Sequence, residues 1–235
     1  MTWLRRLRET PVTLGLIVAN LAVFAVMVLA SHRLLLFNGR TLIAAGASVA
    51  GPGTAASHWR WLTAAFVHTG LPHILLNLWV LGQIGIISEA ALGRGLVAAA
   101  YVFTGVIGNA ASALLADARA QPLISAGASG AIMGLIGMAA TYAWLSGQRA
   151  AARVLAFNVL FILGIGLSLS VGGVRLVDNA AHVGGLCAGI VLGLVRVRRA
   201  RPLPRWLDAL LIGGSLALTV IAFAIVLLAP FNPVE

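Results

Sequence analysis

The chain has 235 residues, a formal net charge of +10, 60 % hydrophobic residues and only 9 % charged ones, with a mean hydropathy of +1.01. A soluble globular domain carries about 25 % charged residues, so this composition excludes one and indicates a membrane protein. The excess of arginine requires no nucleic-acid partner, because its densest run, "RVRRARPLPR" at 196–205, suits anchoring to anionic lipid head groups.

Residues 1–10 read as a short cytoplasmic tail ahead of the first apolar run. Runs long enough to cross a hydrocarbon core follow at about 11–30, 71–88, 95–115, 127–145, 153–172, 179–195 and 207–229, which predicts seven helices of about 20 residues each. The first resembles a signal peptide, with Arg5, Arg6 and Arg8 before it, but its apolar stretch is too long. With the N-terminus inside, the inner segments hold Arg5, Arg6, Arg8, Arg94, Arg149, Arg153, Arg196, Arg198, Arg199, Arg201 and Arg205. Only Arg33, Arg40, Arg60, Arg119 and Arg175 lie outside, so the positive-inside rule gives N-in and C-out.

The outer segment from about 31 to 70 is long for a connection. Its stretches "LLLFNGRTLIAAGASVAGPG" and "HWRWLTAAFVH" are apolar and aromatic yet too short or broken to span. It reads as a partly submerged structure with Trp59 and Trp61 at head-group depth. The resulting organisation is a core over 11–197, a basic cytoplasmic linker over 198–206, and a further transmembrane helix with a short outer tail over 207–235. Cys187 is the single cysteine, so no disulfide or cysteine-based zinc site forms within the chain.

On this topology the second, fourth and sixth spans all run inward, and their outer ends carry His73 and Asn77, Ser129, and His182. Polar and ionisable groups inside a membrane default to a functional site. Each alone has a plainer reading: Ser129 as a small packing residue, Asn77 as an interhelical hydrogen bond. Gly185, Gly189 and Gly193 are spaced four apart on span six, and span four offers Gly130, Gly134 and Gly137. If these faces pack, hydroxyl and imidazole come within hydrogen-bond reach, and the imidazole can take the hydroxyl proton during attack on a carbonyl. The Ser129 backbone N–H, with His73 and Asn77 at i and i+4, can then face the developing oxyanion. Asp178, one turn before His182, suits a cap for span six better than the acid of a triad. His68 is expected to order the outer segment.

The set "HWRWLTAAFVH" (58–68), "LPHILLNLW" (71–79), "GASG" (127–130) and "NAAHVGG" (179–185) closely resembles the rhomboid intramembrane serine proteases, over about 57–194. The resemblance implies an all-α, polytopic six-helix bundle, here followed by a seventh helix. It further implies a serine–histidine dyad of Ser129 and His182 without an acid, an oxyanion site of Ser129, His73 and Asn77, and a structural Trp59–Arg60 pair in the first loop. Gly127, Gly130 and Gly185 support the close packing. No cofactor or metal is implied, and the partners are lipid and transmembrane segments of client proteins, cut near the outer surface. Met133 stands where some members carry a tyrosine that stacks on the catalytic histidine. The seventh span either gates substrate entry or anchors the C-terminus. The setting is expected to be a bacterial plasma membrane, with the site opening outward.

Four other readings meet the same residues. A metalloprotease using His68, His73 and His182 lacks His-Glu-x-x-His and an adjacent carboxylate. A soluble hydrolase elbow lacks the last glycine of Gly-x-Ser-x-Gly and, on the sequence pattern, a strand before it. A transporter lacks a broken-helix pair, whereas a client-binding relative without catalysis stays open.

Overall fold

The computed structural model describes residues 3–51, 57–171, 177–198 and 202–228. Sequence expectations for position 172, Arg175, the middle of the 198–206 linker with Arg199 and Arg201, and the tail past 228 lie outside these. Among the described residues, ten helices and two short strands follow in order: α1 Trp3–Glu9, α2 Pro11–Ser31, α3 Gly39–Ala44, β1 Ser48–Ala50, α4 Arg60–Thr63, α5 Leu71–Leu92, α6 Arg94–Ala118, β2 Leu123–Ser125, α7 Ser129–Leu145, α8 Arg149–Val171, α9 Asn179–Arg198 and α10 Arg205–Leu228. Six of them are long and apolar enough to cross a membrane, and α7, at 17 residues, is a shorter apolar helix. The protein is an all-α, multi-pass membrane protein. Its predicted fourth span starts two residues late, because Gly127 and Ala128 stay outside the helix.

Lipid-facing and protein-facing surfaces separate by helix. On α8 and α10, Leu160, Phe161, Leu167, Leu210, Leu216 and Leu227 are exposed, as expected where the surroundings are hydrocarbon rather than water. In contrast α6 is central and packs on α9, α7, α10, α4 and α2. It carries the fully buried Tyr101, whose hydroxyl donates to Ala65 O (2.9 Å) and accepts from Asn20 Nδ2 (3.0 Å). One phenol thereby joins α2, α6 and the segment between α2 and α5.

The segment between α2 and α5 is built from pieces too short to span: α3, β1 and α4. Arg60 Nη1 donates to Ile43 O (2.6 Å) and Ala47 O (3.2 Å), while its guanidinium lies 4.4 Å from the Trp59 ring centre. Asn109 Nδ2 on α6 donates to Trp61 O (2.8 Å). Strand β1 pairs antiparallel with β2, Val49 opposite Ile124. This corrects the expectation that no strand precedes Ser129; three residues are too few to show an alternating pattern.

Two carboxylates tie helix ends together. Glu89, buried near the end of α5, accepts from the N–H groups of Val12 (3.2 Å) and Thr13 (2.7 Å) and from Thr13 Oγ1 (2.7 Å). It thus caps α2, whose own N-cap Thr10 gives no side-chain cap because its hydroxyl donates back to Arg6 O (3.0 Å) and Leu7 O (3.1 Å). Glu89→Ala leaves these donors orphaned beside apolar surroundings, and we expect a loss of about 3 kcal/mol. Glu89→Gln, which keeps an acceptor, should lose less; thermal unfolding midpoints in detergent check the order. Asp208 in the first turn of α10 accepts the Gly95 N–H (2.7 Å) at the start of α6. With this bond, and with Phe223 against Phe66 at 5.9 Å, the seventh helix is docked on α6 and α4.

Candidate active site

Ser129 is the first residue of α7, and no side chain caps that end. Its backbone N–H therefore belongs to the unpaired first turn, at the positive end of the helix dipole. Seventeen residues rise about 26 Å, short of the ~30 Å hydrocarbon core. The Ser129 side chain is half-buried.

What holds Ser129 in place is a backbone-to-backbone packing of α7 on α9. A Cβ added at Gly185 would fall on Gly130 O, and one at Gly189 on Gly134 O. A Cβ at Gly137 would come 2.7 Å from Leu186 O, and one at Gly193 2.8 Å from Met138 O. The two glycine rows thus meet as their spacing predicts. Gly130 also lies against Ala181, next to His182, so Ser129 and His182 flank the same crossing. His182 is 4 % exposed and its Nδ1 is buried without a partner, which leaves Nε2 as the nitrogen available to Ser129. Among the described residues no hydrogen bond joins Ser129 to His182.

Asp178 makes no hydrogen bond to His182 Nδ1. Its Oδ1 accepts the Ala181 N–H (3.0 Å), the expected cap, while Oδ2 accepts from Ser112 Oγ (2.5 Å) and Ser125 Oγ (2.6 Å). Both oxygens are engaged, and the start of α9 is fastened to α6 and β2. Ser112 and Ser125 went unnoticed in the sequence, since nothing local marks serines that meet only across three elements.

The third contributor is α5. Gly127, at φ +139, adopts backbone that L side chains rarely take, and its N–H donates to Ala64 O (2.9 Å). A Cβ there would lie 3.0 Å from His73 Nε2 and 3.7 Å from Ser129 Oγ. The space left by this missing side chain is therefore shared by the edge of the His73 ring and the serine hydroxyl. Gly127 was grouped with the glycines that allow close packing; outside the helix, its part is to open this space. Asn77 is buried and donates one N–H to His73 O (2.9 Å), so one N–H of its amide remains for a ligand.

His68 has no exposed surface; its Nδ1 donates to Phe66 O (3.2 Å) and its ring meets His73 edge-on at 5.2 Å. Burial, with the His73 imidazole adding to it, lowers His68 to about 3, so it stays neutral and buttresses the site. Met133, one turn into α7, is 1 % exposed and belongs to the apolar core.

The Rhomboid domain model matches residues 55–199 of this chain. The chain belongs to the rhomboid family. The matched range contains His68, His73, Asn77, Ser129 and His182, and excludes α2 and α10. Among curated relatives, Rhomboid protease GluP of Bacillus subtilis is 34 % identical over 152 residues, covering 65 % of this chain and 29 % of that protein. Rhomboid-like protease 3 of Toxoplasma gondii is 31 % identical over 182 residues, covering 76 % and 66 %. RHOMBOID-like protein 2 of Arabidopsis thaliana is 37 % identical over 145 residues, covering 60 % and 43 %. The aligned stretch thus spans less than half of the Bacillus and Arabidopsis proteins. As a rhomboid, this chain is an integral membrane protein with its polar cluster at one end of α5, α7 and α9.

Proposed function

We propose that this rhomboid is an intramembrane serine endopeptidase that hydrolyses peptide bonds in or near transmembrane segments of client membrane proteins. The observation that carries the reading is the close crossing of α7 on α9, with Ser129 and His182 flanking it, beside a space at Gly127 that Ser129 Oγ and His73 Nε2 both border. Ser129 Oγ attacks the scissile carbonyl while His182 Nε2 takes its proton. The Ser129 N–H, His73 and Asn77 face the oxyanion. His182 then returns the proton to the leaving amine, and water releases the acyl group by the same route in reverse. No cofactor is needed. The arginine distribution supports an N-terminus inside and a site reached from the outer face, and the arginine-only basic usage with alanine richness fits a bacterial plasma membrane.

A client-binding role without catalysis rests on one observation: the unformed Ser129–His182 hydrogen bond. Reconstitution with a transmembrane reporter in liposomes separates the two. We expect cleavage, with new termini that map near the outer end of the reporter helix. Retention of an intact reporter on the native protein, with no product, would favour the binder.

A further inference from the structure

Thr69 sits just before α5 and holds no role in the chemistry above. Its hydroxyl lies 3.0 Å from His73 Nδ1, and its own backbone N–H reaches the same nitrogen at 3.4 Å. An N–H can only donate, so Nδ1 must present its lone pair, and the neutral ring carries its proton on Nε2. With no proton on Nδ1, the hydroxyl donates as well. Two donors from one residue thereby converge on one ring nitrogen, and the edge-on His68 ring flanks the imidazole. The opposite nitrogen, Nε2, is the one that borders the space at Gly127, which Ser129 Oγ also borders.

We propose that Thr69 is a positioning residue that holds His73 in the Nε2–H tautomer and aims that proton into the space between Gly127 and Ser129, where charge develops on the substrate carbonyl. The inference rests on the protease reading for its consequence, but the tautomer itself does not. Without the hydroxyl only the longer backbone bond remains. The ring then exchanges tautomers or turns, and in either case a bare nitrogen meets the oxyanion, a repulsive contact in place of an attractive one.

The test compares native protein with Thr69→Val, which keeps the shape and removes the donor, and Thr69→Ser, which keeps the donor. Thr69→Val should lower kcat on a transmembrane reporter about 10-fold, less than the outright loss of an oxyanion donor, with KM unchanged. Thr69→Ser should stay within about 2-fold, because the donor is retained. Nitrogen NMR of ring-labelled histidine, with His73 assigned by its disappearance in His73→Gln, should show a protonated Nε2 and bare Nδ1 in the native and Ser proteins, and mixed tautomers in Val. An unchanged tautomer or unchanged kcat in Thr69→Val would overturn the proposal, as would equal losses in the Val and Ser variants. Should Ser129→Ala still cleave, the protease reading falls by itself, and the NMR comparison still decides the tautomer.

Discussion

Ser129→Ala and His182→Ala are each expected to lower cleavage of a transmembrane reporter by roughly 10^4-fold or more, since members of a nucleophile–base unit fail together rather than additively. The double variant should be no worse than either single one. The fold should survive both changes. Ser129 Oγ makes no hydrogen bond among the described residues, and removing it at the first position of an uncapped helix breaks no cap. His182→Ala deletes a ring whose Nδ1 is buried without a partner, so unfolding midpoints should stay near native. The reporter assay and thermal melts in detergent together check this. Wild-type turnover by Ser129→Ala would remove the nucleophile from the account.

Gly189→Leu is the second large effect, and it acts through structure. A side chain at 189 would be placed on Gly134 O, so α9 must retreat from α7 or the pair must repack. Overpacking of a close interface costs about 1–3 kcal/mol and sometimes more. In addition, a shift of about 1 Å between Ser129 and His182 can cost on the order of 100-fold in rate. We therefore expect a lower melting point and at least that loss of cleavage, with Gly189→Ala intermediate. Gly213 on α10 provides the control, because a Cβ there meets nothing within 4 Å; Gly213→Leu should behave as native. Equal activity in Gly189→Leu and native protein would show that the close crossing does not position the dyad.

The parts of this architecture legible beforehand are those written as repeats or as exceptions in one helix. Glycines four apart on α9, with their counterparts on α7, mark a close crossing, because in lipid small residues let backbones approach. His73 with Asn77 stand out as polar groups in apolar spans. Asp178 was half legible: the bond to Ala181 follows from its place before a helix, whereas those to Ser112 and Ser125 come from residues 66 and 53 positions away. Glu89 offered a visible signal, a carboxylate inside an apolar span, and its role as the cap of α2 was missed. Thr69 was hidden for a different reason, since its bond to His73 crosses the helix boundary at Gly70. The location of α10 against α6 and α4 depends on Asp208 reaching Gly95, 113 residues away, which no local pattern encodes.

Covalent trapping separates a Ser129 nucleophile activated by its surroundings from an inert hydroxyl. Native protein in detergent would be treated with a fluorophosphonate probe, digested, and examined by mass spectrometry for the modified peptide. One adduct is expected, on Ser129, absent in Ser129→Ala and strongly reduced in His182→Ala. An adduct on another serine, or equal labelling of Ser129 in the His182→Ala protein, would contradict an activated nucleophile at Ser129.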